Sequence, residues 1–417
     1  MIRIGKPYIT ECDGRVRLVS HIINEGEGKE LDLYYSVEPQ YGKFLCDETA
    51  DAFVLPMLLR AVVSCQEIVV EAPMSEKLYH NLSYGVLYAL KHARLTSPKV
   101  WGVAHMTPGD NLQNIGISCS GLVANNYHGK AVGTGCSLGV DSFSVIKKYL
   151  LDNDCLPEYK ITHFACFNVG AFGSFNTDTT RDSFYLEVKK LKVFAEKVHL
   201  PVVSVDSNVH EFYLEQNFNW SHTYLNMGCV LALQRLWGKY LYASGYSLDC
   251  FRYDLGDSAR MEPVVIPNIS TESTELIAAD MEKPRSEKVC FIMDDEIVKQ
   301  NINVCLKEQS INNGVMVRDE IDNHRNCGHC EKCLRTMLQL DIYGRLSDYR
   351  DVFDLSDWMK MKNDFLVKVF LKKDQNLMYK DIASTIVTND YPISTSVKRR
   401  VRILKAKQWV KTIVRGQ

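Results

Sequence analysis

The feature that most constrains the fold is an alternation of short apolar runs with longer helical runs, which begins near residue 129. A turn rich in small residues separates each apolar run from the helical run that follows it. Strands that alternate with helices of about ten or more residues form parallel sheets with right-handed crossovers. We therefore predict an α/β fold with a parallel sheet. The predicted strands lie at 129–135, 160–168, 202–206 and 240–244, and the predicted helices at 141–151, 180–198 and 224–237.

The regions on either side of this alternation have a different character. Residues 1–125 mix short alternating runs with helical stretches, which predicts an N-terminal α+β domain. Residues 126–345 contain the predicted sheet and a cysteine-rich segment, and residues 346–417 predict a helical C-terminal region. In the N-terminal domain the predicted strands are 15–22, 31–37, 67–72 and 99–105, the predicted helices are 48–64 and 75–94, and the domain boundary is predicted within 116–126.

The charge distribution argues against a general nucleic-acid-binding surface. The chain has 49 basic and 51 acidic residues, but residues 391–417 contain eight Lys or Arg and no acid. The first 390 residues therefore carry 41 basic and 51 acidic groups, a balance of −10. Because nucleic-acid binding needs clustered Lys and Arg, this acidic body gives no strong nucleic-acid signal.

The N-terminal segment predicts a cytoplasmic protein. It has neither the basic and apolar regions of a secretory signal nor its cleavage site, and no segment has the about 18 consecutive apolar residues of a membrane span. In a reducing compartment most of the 14 cysteines are expected to be small buried hydrophobes. Only a specific spacing can give a cysteine a further role.

A loop of small residues follows the first predicted strand of the central region. Ser137, Gly139, Asp141 and Ser142 lie between that strand and the start of a helix. Glycine lets the backbone approach a phosphate, and the amides of a helix N-terminus attract anions. Asp141 is expected either to bind Mg²⁺ or to cap the helix. An ordinary strand-to-helix turn remains the alternative, and the Gly-Lys-Ser/Thr of a Walker A loop is missing.

The most specific signal is a Cys-x2-Cys-x2-Cys run at Cys327, Cys330 and Cys333. Cys305 lies 22 positions before Cys327 and supplies a fourth thiolate. Two-residue gaps let one tight turn present several sulfurs to a single ion, and Zn²⁺ prefers four such ligands in a closed structural site. The alternatives are an iron–sulfur cluster, a redox dithiol, and His324 or His329 in place of Cys305.

The loop resembles the Ser-Gly-Gly-x-Asp-Ser signature of the PP-loop ATP pyrophosphatases, with Leu138 in the position of the first Gly. The resemblance implies that the loop grips the pyrophosphate part of Mg²⁺-bound ATP while the α-phosphate is attacked. It implies Ser137, Asp141 and Ser142 as catalytic residues. The implied phosphate-binding residues are Ser137, Leu138, Gly139, Val140, Asp141 and Ser142.

Together, the loop and the cysteine run resemble the 7-cyano-7-deazaguanine synthase family over about residues 130–340. The resemblance implies that Phe167 and Asn168 lie at the nucleoside, that Gly245 lies in a loop at the active edge, and that Arg285 and Lys288 clamp phosphates. The polar start of the next helix makes Thr223 and Asn226 further candidates, whereas His222 is expected to be structural. The first 125 residues and the last 70 fall outside the resemblance.

The implied activity is an ATP-dependent, adenylate-forming ligase reaction. A carboxylate or amide of a small deazaguanine-like substrate would be activated for attack by a nitrogen nucleophile, either ammonia as in queuosine-precursor synthesis or a protein amine. The larger members of this family occur in surface-polysaccharide and anti-phage defence gene clusters. A homodimer is compatible with this activity. The alternatives are a catalytically silent nucleotide-binding scaffold, which Leu138 favours, and a tRNA-thiolating enzyme that uses Cys136.

The C-terminal segment 397–416 is basic and imperfectly amphipathic. Such a helix is typical of contact with an anionic membrane or a partner. A packed terminal helix with solvated lysines is an equal alternative, and contact with RNA is a third.

Overall fold

The computed structural model describes residues 1–96, 112–172, 178–213, 218–305 and 325–415. The chain divides into two compact units, each packed mainly against itself. Unit 1 consists of Met1–Ser137 and Val145–Met281, and unit 2 consists of Leu138–Ser144 and Glu282–Gln417. This division differs from the domains predicted from the sequence. The predicted boundaries at 125 and 345 stay predictions.

The N-terminal part of unit 1 contributes six strands and three helices among the described residues. A hairpin of long strands is followed by a buried helix and by two further strands. The strands are β1 (Ile2–Ile4), β2 (Tyr8–Cys12), β3 (Arg15–Asn24), β4 (Lys29–Val37), β5 (Ile68–Ser75) and β6 (Ile117–Val123), and the helices are α1 (Asp51–Ser64), α2 (Glu76–Asn81) and α3 (Leu87–Thr96).

The central part of unit 1 has the predicted alternation of strands and helices, which confirms the α/β class. The strands are β7 (Ala131–Gly135), β8 (His163–Asn168), β9 (Val202–Ser207), β10 (Trp237–Ala243) and β11 (Glu275–Ala279). The helices are α4 (Val140–Ile146), α5 (Asp178–Lys197), α6 (His222–Leu231) and α7 (Glu262–Asn268). The residues of α4 up to Ser144 belong to unit 2.

All these strands belong to one mixed sheet with the order β11-β10-β7-β8-β9-β4-β3-β1-β5-β6, and β2 pairs with β3. The segment from β9 to β11 is parallel and has the strand order 3-2-1-4-5 of doubly wound folds. Strand β4 joins it antiparallel to β9, so the N-terminal strands extend the same sheet. In doubly wound sheets ligands bind at the carboxyl ends of the strands, where the order reverses. Here that point lies between β7 and β10.

The core of unit 1 explains why these residues form strands. All six residues of β9 are buried, as expected for a central strand covered on both faces. Trp237 and Tyr240 pack against β7 at Gly133, where a Cβ atom would lie 2.7 Å from the Trp237 ring. Glycine at 133 therefore allows two large aromatic side chains to fill the core.

Three details of the predicted elements need correction. The helix predicted at 224–237 ends at Leu231, and Trp237 begins β10 because Gly238 and Gly129 allow the two segments a close approach. The boundary predicted within 116–126 contains β6, whose small residues hid a strand that pairs with β5. The helix predicted at 141–151 changes to a π-helical turn at Lys147–Leu151. The strand predicted at 99–105 lies outside the described residues.

Apart from its loop segment, the described part of unit 2 is helical. Its helices are α8 (Arg285–Ile292), α9 (Glu296–Asn301), α10 (Glu331–Ile342), α11 (Trp358–Lys372), α12 (Leu377–Thr388) and α13 (Thr395–Arg415). The basic helix α13 packs on α11 through the buried Val397, and Arg400 donates to Asp364 at 2.7 Å. The proposed membrane or partner contact of this helix stays a prediction. None of the helices in the described ranges combines the length and apolar character of a membrane span.

Candidate phosphate site and metal centre

The predicted phosphate loop leaves the carboxyl end of β7, at the reversal point of the strand order. Leu138 is 4% exposed, and its backbone has a φ of 56° in the left-handed region. This conformation suits glycine and is rare for a bulky side chain. The backbone thus has at Leu138 a conformation that the signature's first Gly would adopt without strain.

The hydroxyl groups of the loop differ in their surroundings. Ser137 is exposed to solvent, whereas Ser142 is buried and its hydroxyl donates to the Gly139 carbonyl at 3.0 Å. The buried side chains of Leu138 and Val140 leave only their backbone groups for a ligand. Of the predicted loop residues, Ser137 therefore has the most accessible hydroxyl.

Asp141, in the first turn of α4, is paired with two cations from α8. Arg285 donates to Oδ2 of Asp141 at 2.5 Å, and Lys288 Nζ lies 3.6 Å from Oδ1. The side chains of Arg285 and Lys288 are 11% and 1% exposed, and that of Asp141 is 26% exposed. Both carboxylate oxygens thus face cations, and Oδ1 accepts no hydrogen bond from the described residues. The expected Mg²⁺ contact of Asp141 stays a prediction.

Two further cations of α10 interact electrostatically with this group. Burial raises the pKa of Asp141, but the charges of Arg285, Lys288 and Lys332 outweigh it and leave the pKa below its usual value. Burial, followed by the repulsion of Arg285, lowers the pKa of Arg335. Four cations thus interact with Asp141, and we call Asp141, Arg285, Lys288, Lys332 and Arg335 the cation cluster. Two further carboxylates border it, since Glu331 acts on Arg335 and Asp381 interacts with Arg285.

The cation cluster has donor groups that no neighbour satisfies. The Nε atoms of Arg285 and Arg335 are buried and have no hydrogen-bond acceptor among the described residues. Buried N–H groups nearly always have a partner in folded proteins. The cluster therefore has both the charge and the donors to bind an anion.

The start of α8 is held by a separate polar network. Asp381 accepts from the backbone N–H of Ser286 at 2.9 Å and from its hydroxyl at 2.7 Å. Gln339 of α10 also donates to the Ser286 hydroxyl, at 2.9 Å. Burial raises the pKa of Asp381, against the effect of these hydrogen bonds. This network ties α8 and α12 to α10 and so fixes the cations that the two helices α8 and α10 contribute.

The four predicted metal ligands lie together in unit 2. The sulfurs of Cys305, Cys327, Cys330 and Cys333 are all within 4.8 Å of one another, so the cluster could hold a metal ion such as zinc. A tetrahedral ion with Zn–S bonds of about 2.3 Å separates its sulfurs by about 3.8 Å. The sulfur of Cys333 lies 3.9 Å from that of Cys327 and 3.4 Å from that of Cys330.

The turn around the cysteines explains their position. Gly328 has a φ of 71°, and a Cβ atom there would clash with the Asp354 carbonyl oxygen, so no larger residue fits. The backbone N–H groups of His329 and Cys330 donate to the Cys327 sulfur at 3.5 and 3.3 Å. The His329 ring contacts the Cys327 carbonyl and Asp357 instead of the sulfurs, and Cys305 supplies the fourth sulfur of the cluster. His324 lies outside the described residues.

Asparagine residues connect the metal centre to the loop. Asn326 is fully buried, accepts from Val304 N–H at 2.7 Å and donates to the carbonyls of Ile302 and Val352 at 2.9 Å. The neighbouring Asn303 backbone N–H donates to the Leu138 carbonyl at 2.7 Å. The segment that carries Cys305 therefore also holds the loop in its left-handed conformation.

The remaining predicted residues belong to unit 1 and are described within it. Phe167 is a core residue that stacks on Tyr240, and its expected place at the nucleoside stays a prediction. Asn168, 1% exposed, donates to Asp206 at 2.6 Å. Gly245 follows the end of β10, where an added Cβ atom would meet no atom closer than 3.9 Å. His222 lies 3.0 Å from the Tyr242 hydroxyl, as a structural histidine would.

Several residues that matter in this arrangement carried little signal in the sequence. The sequence left Lys332 and Arg335, beside the cysteines, open between phosphate contacts and solvated charges. Asn326, Asn303 and Asp381 gave no pattern. Their positions depend on contacts between distant segments. The only local sign was the helical spacing of three that places Lys332 and Arg335 on one side of α10.

Comparison of the chain with protein-family models, with curated proteins and with solved structures found no match.

Proposed function

We propose that this protein is an ATP pyrophosphatase of the PP-loop type that forms an adenylated intermediate. The observation that carries the proposal is the cation cluster, in which four cations interact with Asp141 beside the loop and two of them have a buried Nε without an acceptor among the described residues. The phosphate chain of ATP, with its Mg²⁺, would supply the missing negative charge. Hydrogen-bond donors that are fixed before the reaction stabilise phosphoryl transfer effectively, because they need not reorganise.

The proposed reaction has two steps. An oxygen of the substrate carboxylate attacks the α-phosphorus of ATP, the bond to the β-phosphate oxygen breaks, and pyrophosphate leaves. A nitrogen nucleophile then attacks the adenylated carbonyl carbon, AMP leaves, and the nitrogen loses a proton. Arg285, Lys288, Lys332 and Arg335 would neutralise the charge that accumulates on pyrophosphate in the first step, while the loop backbone positions it.

The metal in the cysteine cluster is proposed to be structural zinc. Four thiolates complete a tetrahedral site and leave no position for a water molecule. The short distances between the sulfurs favour a single ion over an iron–sulfur cluster, whose several irons would hold the cysteines farther apart. The ion would fix Cys305 and so the backbone that contacts the loop.

The substrate is proposed to be a small deazaguanine-like carboxylate or amide, with ammonia or a protein amine as nucleophile. The thiolation alternative is less well supported, since Cys136 is 5% exposed and would have to become accessible to carry a persulfide. Leu138 no longer favours the silent scaffold, because its backbone already has a conformation that glycine would have.

The test is the release of pyrophosphate and AMP from Mg²⁺-ATP by zinc-quantified protein, with 7-carboxy-7-deazaguanine and ammonium present or omitted. We expect release that depends on the deazaguanine and disappears in Asp141→Ala. A protein with full zinc content and intact folding that releases pyrophosphate under none of these conditions would contradict the proposal.

A further inference from the structure

A second polar cluster lies in unit 1, at the carboxyl ends of β8 and β9. Asn168, Asp206, Ser36 and Arg17 are paired in register across β8, β9, β4 and β3 and so share one face of the sheet. Helix α5 adds Arg181, which donates to Asp206 at 3.4 Å and to the Tyr34 hydroxyl at 2.7 Å. The N-terminal hairpin thus brings its polar residues to the edge where doubly wound sheets bind ligands.

The charge of this cluster favours an anion. Arg181 pairs with Asp206, whose side chain is only 7% exposed. The guanidinium groups of Arg15 and Arg17 act together with Arg181 on the neighbouring Tyr185, and Arg17 also pairs with Asp13 at 3.5 Å. Arg15 is already bonded to Ser36 and to the Ser204 carbonyl. The Arg181 side chain is 43% exposed, and its hydrogen bonds to the described residues use Nε and one terminal nitrogen. Its other terminal nitrogen can bind a carboxylate, which planar guanidinium groups recognise well.

The aromatic groups of the cluster favour a flat ligand. Arg17 lies over the Tyr34 ring at 4.4 Å, and Arg15 lies over the Tyr185 ring at 5.9 Å. Tyr185 is 40% exposed, so part of its ring faces solvent. Aromatic and guanidinium planes stack well on heteroaromatic rings.

One buried acceptor indicates that the ligand also has N–H groups. Nδ2 of Asn168 donates to Asp206, which fixes the orientation of the amide because a flipped oxygen would face the carboxylate. Oδ1 of Asn168 is then buried, and no donor among the described residues reaches it. Such an acceptor is unfavourable unless a ligand donates to it.

We propose that this cluster is the binding site for a planar heteroaromatic carboxylate with ring N–H groups, the acceptor that the proposed ligase would adenylate. Arg181 binds the acidic group, Tyr34 and Tyr185 border the ring, and Asn168 and Asp206 accept from its N–H edge. The inference rests on the proposed function for the identity of the acceptor. It gives the N-terminal strands β3 and β4 a role in substrate recognition.

The test is calorimetric titration of the full-length, zinc-loaded protein with 7-carboxy-7-deazaguanine and, separately, with neutral 7-deazaguanine, which lacks the carboxylate. We expect the carboxylate to bind and the neutral base to bind at least tenfold more weakly. Arg181→Gln should weaken binding of the carboxylate at least tenfold. The matched control is Lys192→Gln on the same helix, which removes an exposed cation paired with Glu38 at 2.7 Å and should leave the affinity unchanged.

Three results would overturn the site: no binding of the carboxylate, equal affinity of the two bases, or unchanged affinity in Arg181→Gln. Loss of ATP binding in that variant, with the deazaguanine affinity intact, would assign the cluster to the nucleotide and overturn it too. The pyrophosphate assay tests the proposed function independently of this binding site. Binding that needs Arg181, without pyrophosphate release, would refute the ligase and leave the site standing.

Discussion

Unit 2 contains a cluster of cysteines and a cluster of cationic side chains, and the two differ in the kind of ion that would bind them. The cysteine cluster has four sulfurs within 4.8 Å and needs a cation to become thiolates together. The cation cluster has four positive side chains that interact with Asp141, and we propose that it binds an anion. We propose that the cysteine cluster holds a permanently bound ion and that the cation cluster holds a ligand that binds and dissociates. The backbone bond from Asn303 to Leu138 links the two.

We therefore propose a structural role for the cysteine cluster and a ligand-binding role for the cation cluster. A closed metal site stabilises the fold permanently, because it forms only in the folded chain. Like charges held together destabilise the fold until a ligand arrives, which is a common property of binding sites. Variants that separate the two roles can therefore test the comparison.

The largest effect is expected from loss of the metal. Cys330→Ser should reduce metal content and loosen the segment of Cys305, so that Asn303 no longer holds the Leu138 carbonyl. Structural zinc contributes on the order of 10 kcal/mol in small domains, so unit 2 should lose much of its thermal stability. Pyrophosphate binding, measured by calorimetry, should fall more than tenfold. Cys290→Ser, at an exposed cysteine outside the cluster, is the matched control; full pyrophosphate binding by metal-free Cys330→Ser would break the link.

The next largest effect is expected from substitution of Asp141, compared with substitution of Arg335 in the same cluster. Asp141→Asn leaves Arg285 and Lys288 buried without their counter-charge and should lower the free energy of unfolding by about 3 kcal/mol. Arg335→Gln removes repulsion and should leave the protein at least as stable as the wild type while weakening pyrophosphate binding about tenfold. Denaturant unfolding and calorimetry measure the two quantities. Equal destabilisation by both substitutions would show that the cation cluster is an ordinary ion-pair network.

A smaller effect is expected at Leu138. Leu138→Ala and Leu138→Gly lose the same buried side chain, but only glycine adopts a φ of 56° without strain. Leu138→Gly should therefore be more stable than Leu138→Ala by about 1 kcal/mol, the reverse of the usual order in a helix. Denaturant unfolding of the pair gives the difference. An alanine variant as stable as the glycine variant would argue against the left-handed conformation.

The smallest effect concerns acid pH. The pKa of Asp141 is lower in the folded chain than its usual value, so its ion pairs stabilise the fold above the unfolded pKa of about 3.9. This contribution is lost as the pH falls through the folded pKa. The stability difference between wild type and Asp141→Asn should be constant at neutral pH and shrink below about pH 4. A difference that persists in acid would mean that the charge of Asp141 is not its source.

The sequence allowed some of these features to be predicted and not others. The four cysteines were predictable because three of them lie in one turn, where spacing alone determines which sulfurs can meet. The parallel strands were predictable because their apolar runs alternate with helices. The cation cluster was predictable only in part. Arg285 and Lys288 were candidates for phosphate contacts, but no pattern showed that they meet Asp141, Lys332 and Arg335, because these groups come from three segments that lie far apart in the chain. The antiparallel pairing of β4 with β9 was also missed, because no local pattern shows which distant strands pair.

The central claim is that the cation cluster is an anion site poised for the phosphates of ATP. Its most direct test is calorimetric titration of zinc-loaded wild type with Mg²⁺-pyrophosphate, beside an Arg285→Gln, Arg335→Gln double variant. We predict one-to-one binding by the wild type and a loss of at least tenfold in affinity in the double variant. Absence of binding by the wild type, or equal affinity of the two proteins, would contradict the claim.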